Sequence, residues 1–295
     1  MKIGFNGTVC EDKDAVISVY DHGFLYGMGL FETFRTYGGK PFLLQEHLDR
    51  LMEGCRTLGI TYHTETPEVM DMITNLLQIN QLPDAYFRLS VSAGNAGLGL
   101  TDQDYGEPNV IIYVKPLAAR DPSLYEQGKP LQLLRLRRNT PEGEVRMKSF
   151  HYMNNVLAKR EMKQYAGAEN AEGLFLTEAG YLAEGIVSSL FYINNQTCFT
   201  PALSTGILPG ITRAFVIRIA NELSLKVVEG NYRWEDLLDA DEIFIANSIQ
   251  ELVPVNKLYD EQGRSSWIGQ GGAGFCTLRL TEKYHKYTQQ QEVRE

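Results

Sequence analysis

Val145-Arg146-Met147-Lys148-Ser149-Phe150-His151-Tyr152-Met153-Asn154-Asn155 places a single lysine near the midpoint of a 295-residue chain. Its reading decides the fold. Most lysines are solvated surface charges, and Lys148 taken alone fits that description. A lysine at the end of a strand, between apolar and aromatic neighbours, is instead partly desolvated. Its neutral amine is then a nucleophile for a carbonyl carbon. The choice between the two depends on what the rest of the chain supplies.

The length allows a sizeable core and favours two domains over one. A hydrophobic content of 43% with 22% charged residues predicts a soluble globular protein. The net charge of −9 argues against a nucleic-acid partner, which needs clustered Lys and Arg. The one local basic run, Arg135-Leu136-Arg137-Arg138, alternates like a strand with a solvated face. Cys10, Cys55, Cys198 and Cys276 are scattered and form no Cys-x-x-Cys pair, so neither a zinc site nor a disulfide framework is expected, and a reducing cytoplasm fits. The N-terminus lacks the apolar core of a signal peptide, and no stretch is long enough to cross a bilayer.

In the first half, Asn6-Gly7 predicts a tight hairpin, with Ala15–Val19 continuing that sheet. Gly27-x-Gly29 either lets a backbone approach a ligand or forms a plain loop entering a strand. Leu48, Leu51, Cys55 and Leu58 draw one apolar helical stripe. Arg50 lies about a hundred degrees off that stripe, as a snorkelling arginine or an anion ligand. A second helix is expected over Pro67–Ile79, with Thr66 as N-cap. Strands are expected next at Tyr86–Ser92 and Asn109–Lys115, and Arg88 in the first either faces solvent or meets an anion. Residues 116–122, small, charged and Pro-containing, mark an interdomain linker.

In the second half, Gln132–Arg138 reads as a strand and Asn154–Tyr165 as a helix. Glu178-Ala179-Gly180 turns a hairpin whose second strand runs into Glu184. Leu182, Ile186 and Val187 around it predict burial, and a buried carboxylate needs a cationic partner such as a protonated pyridine nitrogen. Gly210-Ile211-Thr212-Arg213 opens a helix, either as an ordinary junction or as a phosphate cradle of N–H groups and the Thr212 hydroxyl. Ser248, after the strand Glu242–Ala246, adds a second hydroxyl. Gly269-Gln270-Gly271-Gly272-Ala273-Gly274 has dinucleotide-fingerprint spacing, but the rest of the chain beyond Gly274 reads as one polar helix with no second strand, so that match is rejected.

A nucleophilic lysine, a carboxylate for a ring nitrogen and a phosphate cradle are the fixtures that hold pyridoxal 5′-phosphate. In order and spacing, Lys148-Ser149-Phe150-His151-Tyr152-Met153-Asn154-Asn155, Glu184-Gly185-x-x-Ser188 and Leu208-Pro209-Gly210-Ile211-Thr212-Arg213 resemble fold-type IV pyridoxal-phosphate enzymes. That group comprises branched-chain aminotransferases, D-amino-acid aminotransferases and aminodeoxychorismate lyases, and the resemblance covers nearly the whole chain. It implies a two-domain α/β (α+β) fold: a small domain over 1–117, a linker at 118–125 and a larger domain over 126–295 carrying the lysine. It also implies a homodimer acting on a small molecule.

Residue by residue, the resemblance makes Lys148 the cofactor lysine and Glu184 the partner of the pyridine nitrogen. Arg50, Ile211, Thr212 and Ser248 become phosphate ligands, and Tyr26, Phe31 and Arg88 substrate contacts. Tyr26-Gly27-Met28-Gly29-Leu30-Phe31-Glu32-Thr33-Phe34-Arg35 departs from the branched-chain pattern, as does the run after Lys148. Both departures look like aminodeoxychorismate lyases, in which a Thr at the place of Thr33 assists proton transfer. The expected activity is therefore conversion of 4-amino-4-deoxychorismate to 4-aminobenzoate and pyruvate for folate synthesis. A branched-chain or D-amino-acid aminotransferase is the alternative within the family, and a non-enzymatic dinucleotide-binding protein the alternative outside it.

Overall fold

The computed structural model describes residues 1–119 and 121–293, with side chains as far as residue 290. Residue 120, inside the expected linker, and the last two residues of the expected larger domain lie outside the described residues. By its contacts the chain divides into two units. One comprises Met1–Ala119, Met147–His151 and the C-terminal end from Tyr287, and the other runs from residue 121 to Arg146 and from Tyr152 to Lys286.

The first unit contains β1 (Lys2–Phe5), β2 (Thr8–Glu11), α1 (His22–Tyr26), β3 (Gly29–Tyr37), β4 (Lys40–Pro41), α2 (Leu44–Thr57), α3 (Thr66–Ile79), β5 (Ala85–Ser92) and β6 (Asn109–Pro116). Its six strands are ordered β2-β1-β6-β5-β3-β4. Asn6 and Gly7 close the first hairpin with φ of 46° and 79°, the two positive angles that a tight primed turn demands. Ala15–Val19 does not extend the sheet as expected. The chain instead enters α1, capped where the Asp21 carboxylate accepts from the Gly23 N–H at 2.7 Å and ended by Gly27 at φ 73°. Leu30, Phe34, Phe87, Leu89 and Val91 pack on Leu48, Leu51, Cys55 and Ile73 of the two long helices. Each such side chain stabilises the fold by about 1.5–3 kcal/mol. Helix α3 starts one residue earlier than expected: Glu65, not Thr66, is the N-cap, and Glu65 and Glu68 form a reciprocal capping box.

Met147–His151 joins this unit, whereas the sequence reading put Lys148 in the C-terminal domain. The reason is an open strand edge. β4 pairs only with Thr36 and Tyr37, leaving the front half of β3 without a strand on that side. There the Phe31 N–H donates to the Lys148 carbonyl and the Phe150 N–H to the Gly29 carbonyl, both at 2.9 Å. Glycine at 29 makes this possible, because a Cβ there would collide with the Phe150 ring.

The second unit contains α4 (Pro122–Glu126), β7 (Lys129–Leu133), α5 (Met153–Glu161), β8 (Glu172–Leu176), β9 (Leu182–Gly185), β10 (Ser189–Asn194), β11 (Thr197–Pro201), α6 (Ile211–Glu222), β12 (Lys226–Gly230), α7 (Trp234–Leu238), β13 (Glu242–Asn247), β14 (Glu251–Tyr259), β15 (Ser265–Trp267) and α8 (Phe275–Val293). Helix α4 thus occupies part of the expected linker. The nine-stranded sheet runs β12-β11-β10-β13-β14-β7-β8-β9, with β15 on β14. It is mixed: β11 with β12, β7 with β14 and β7 with β8 are parallel.

The strand expected over Gln132–Arg138 ends at Leu133. The Arg135 and Leu136 N–H groups donate to the Glu161 carboxylate at 2.7 and 3.0 Å, so a side chain takes the donors that a ladder would need. Helix α5 likewise stops at Glu161, and Met162–Gln164 form a 3₁₀ turn rather than continuing to Tyr165. Among the described residues no helix is long and apolar enough to cross a membrane, and no group of acidic, His or Cys side chains could hold a metal ion.

Candidate active site

In the first unit the sheet face opposite the helices carries the polar side chains. β3 and β5 pair so that Phe31 faces Ser90 and Thr33 faces Arg88 across the ladder. By strand alternation Phe31 and Thr33 share one face. The Arg88 guanidinium lies over the Phe31 ring, 3.6 Å from its centroid, and its Nε donates to Ser90 Oγ at 3.1 Å. The Lys148 amine is 4.8 Å from the centroid of the same ring. Two cations thus converge on one aromatic side chain, which holds both side chains while partly shielding them from water. A cleft of about 450 Å³ opens beside them, with Phe24, Arg88, Ser90, Ser92, Tyr113 and Phe150 in its walls. Tyr26 and Phe31 are not among its lining residues; the Tyr26 hydroxyl accepts from the Gly99 N–H at 2.9 Å.

Arg50 sits behind this face. Its Nε and one terminal nitrogen donate to the two oxygens of Glu32 at 2.7 and 2.6 Å, and His47 Nδ1 lies 2.6 Å from the same carboxylate. Burial by itself would raise the Glu32 pKa, but the Arg50 charge and the His47 hydrogen bond outweigh it and bring the carboxyl down to about 2. Burial pushes His47 the other way: it lies below the ordinary imidazole range despite Glu32, with Arg50 and Lys148 adding repulsion. Facing a carboxylate, which only accepts, Nδ1 of His47 is the donor in this contact.

In the second unit Glu184 is buried, and its oxygens are divided. Oε1 accepts from Arg138 Nε at 2.8 Å with Arg146 Nε 3.7 Å away, while Oε2 accepts from the Leu208 N–H at 3.0 Å. Arg146 is drawn down to about 10, first by burial and then by repulsion from Arg138, against the attraction of Glu184. The turn after Glu184 is fixed from beneath. Glu172 Oε1 accepts from the Val187 N–H and Ser188 hydroxyl at 3.0 and 3.1 Å, and Asn155 donates to the Ile186 carbonyl at 2.6 Å. Gly185 is required there, since a Cβ would collide with Ser188 Oγ.

Thr212 and Ser248 are brought together at the start of α6, hydroxyl to hydroxyl at 3.0 Å. Ile211 is the first residue of that helix, and its N-cap, Gly210, contributes no side-chain cap. Two hydroxyls at the N-terminus of a twelve-residue helix are donors of the kind a phosphate takes. Within the second unit, the buried Glu184 carboxylate and this hydroxyl pair are groups that fit the ring nitrogen and the phosphate of pyridoxal 5′-phosphate, and within the first unit the half-buried Lys148 amine fits its aldehyde.

Sequence reasoning missed Arg138, placed on a solvated strand face but in fact buried against Glu184, and it missed Glu32 and Glu172. Asn154 and Asn155 stand at the end of the motif that begins at Lys148. Asn154 Oδ1 accepts from Arg138 at 2.8 Å, so both asparagines serve the surroundings of Glu184. A signal was available: an Asn-Asn pair in the first turn of a helix is a poor helix former and calls for a reason.

Residues 29–258 match the family model for amino-transferase class IV. The aminodeoxychorismate lyase of Bacillus subtilis is 45% identical over 94% of this chain and 92% of its own length. The branched-chain amino acid aminotransferase of Escherichia coli superposes with a TM-score of 0.85 at 28% identity, covering 97% of this chain and 93% of that one. A branched-chain amino acid aminotransferase from T.th., solved with N-(5′-phosphopyridoxyl)-L-glutamate, superposes with a TM-score of 0.83 at 29% identity over 98% and 94%.

Proposed function

Because this chain belongs to the amino-transferase class IV family, we propose that it is a pyridoxal 5′-phosphate-dependent aminodeoxychorismate lyase, forming 4-aminobenzoate and pyruvate from 4-amino-4-deoxychorismate. The observation that carries the reading is the lysine amine held 4.8 Å from the Phe31 ring, on a strand whose next residue on the same face is Thr33, opposite Arg88. The 45% identity to a lyase over nearly the full chain supports the choice of reaction.

When bound, the cofactor supplies an electron sink for a carbanion at the amine-bearing carbon of the substrate. Lys148 would hold the cofactor aldehyde through Nζ, and its free amine is the base placed to take the proton from that carbon. Glu184, oriented by Arg138 and the Leu208 N–H, would accept a hydrogen bond from the protonated ring nitrogen. Thr212, Ser248, the start of α6 at Ile211, and Arg50 hold the phosphate. Thr33 relays a proton to the departing enolpyruvyl group, and Arg88 pairs with a substrate carboxylate beside Tyr26 and Phe31. Four cysteines that form no disulfide agree with a cytoplasmic location. Exposed Val16, Val19, Phe24 and Leu98 agree with a homodimer, and the domain boundary at 118–125 belongs to the same proposal.

The test is turnover of 4-amino-4-deoxychorismate without any keto acid. Pyruvate and 4-aminobenzoate in equal amounts are the expected result. Transfer of the amino group of Leu, Ile, Val or D-Ala to 2-oxoglutarate, with no lyase activity, would replace the reading by an aminotransferase. The holoprotein is expected to be yellow and bleached by borohydride, and Lys148→Ala to lose both colour and turnover. A colourless preparation would return the dinucleotide-binding alternative.

A further inference from the structure

Glu251 stands where a hairpin ordinarily places glycine. It closes the three-residue loop Ser248-Ile249-Gln250 between β13 and β14, paired across the ladder with Asn247, and its φ is 61°. Loops of this length often end on a left-handed residue, and a long side chain there is strained unless its surroundings hold it. They do: the Glu251 side chain is 3% exposed and its Oε2 lies 2.7 Å from Nε2 of His285 in α8. The loop is otherwise set by Asn247, whose side-chain oxygen accepts from the Ile249 and Gln250 N–H groups at 2.9 and 2.8 Å.

Helix α8 is tied to both elements that deliver the hydroxyl pair. At its start the Cys276 and Thr277 N–H groups donate to the Glu242 carboxylate of β13 at 2.9 and 2.8 Å. Further along, Tyr284 meets Phe215 of α6 edge-on at 5.2 Å, and Lys283 pairs with Glu222 at 2.8 Å. Thr212 lies at the head of α6 and Ser248 is the first residue of the β13–β14 loop. We propose that Glu251, held by His285, is a positioning residue that sets Ser248 against Thr212 for phosphate binding. This rests on the reading above, in which those two hydroxyls take the cofactor phosphate.

The test compares the dissociation constant of pyridoxal 5′-phosphate, by equilibrium dialysis of the holoenzyme, for wild type, Ser248→Ala, Glu251→Gly and the double variant. Ser248→Ala and Glu251→Gly are each expected to weaken binding about tenfold, the second although glycine relieves the backbone. The double variant is expected to match Ser248→Ala, because Glu251 acts through Ser248; a purely structural Glu251 gives additive losses and overturns the inference. His285→Gln, which keeps a side-chain donor, stays within about threefold of wild type while His285→Leu follows Glu251→Gly. Equal effects of the two His285 changes would overturn the inference even if Glu251→Gly fails to fold. If Ser248→Ala weakens binding and Glu251→Gly does not, only the positioning role falls. If Ser248→Ala itself leaves affinity unchanged, the phosphate assignment of the pair falls as well.

Discussion

Glu32 in the first unit and Glu184 in the second are both buried carboxylates gripped by arginine, yet their surroundings differ. Glu32 is enclosed by two side chains of one helix: Arg50 takes both oxygens and His47 adds a third contact. Its partners lie on a single helical face, three residues apart, and its charge is held so firmly that its carboxyl falls to about 2. Glu184 has its partners spread over the chain: Arg138, Arg146 and the Leu208 N–H, with Glu172 and Asn155 fixing the turn behind it. The first arrangement braces a helix on a sheet. The second holds one carboxylate in one direction, which is what a hydrogen bond to a ring nitrogen requires. Identical side-chain chemistry thus meets two different settings, and the difference lies in how many separate elements converge on the acid.

Substitutions can break that contrast. Glu184→Gln is expected to cost about 10²–10³-fold in kcat, because a neutral amide cannot stabilise a protonated ring nitrogen in a desolvated site. Cofactor absorbance should persist, and a kcat within a few-fold of wild type would remove Glu184 from the chemistry. Glu32→Gln is expected to lower unfolding stability by about 3 kcal/mol, since it leaves Arg50 without its counter-charge. Urea denaturation measures this, and kcat at saturating cofactor should change much less than in Glu184→Gln. Equal effects on rate would abolish the distinction between brace and site.

Acid provides a finer test. The folded pKa of Glu32 is depressed from 4.5 to about 2, so its contribution to stability is present above about 4.5 and is lost as pH falls through that window. His47 has a folded pKa below 6.5, so the unfolded chain binds its proton first and stability already begins to decline as pH falls through 6.5. Stability measured against pH should show both slopes, with the lower one missing in Glu32→Gln. The smallest effect is expected from Arg138→Lys, which keeps the charge but loses the guanidinium fork that reaches Glu184 and Asn154 together; kcat should drop about tenfold. A change of a hundredfold would make Arg138 as important as Glu184 itself.

Much of this arrangement could be read from residues alone. The α2 stripe, the Asn6-Gly7 hairpin and the rejection of Gly269–Gly274 as a dinucleotide motif follow from periodicity and turn chemistry, which act over a few residues. The errors have one character. Gln132–Arg138 continued as a strand in the sequence but not in the molecule, because a distant carboxylate, Glu161, took its N–H groups. Arg138 seemed a solvated charge because its counter-ion lies 46 residues away.

By itself the sequence singled out the candidates, an amine at Lys148, an acid at Glu184 and hydroxyls at Thr212 and Ser248, together with the family pattern that joins them. It did so because nucleophiles, acids and helix starts are properties of residue type and local spacing. Only the tertiary structure decided that Lys148 lies along β3, that Glu32 occupies the fork of Arg50, and that Arg138, Asn154 and Glu172 surround Glu184 and its turn. Those pairings join residues far apart in the chain. Burial makes an unpaired charge or polar group too costly to leave, so the partner is chosen by whichever group the fold brings within reach.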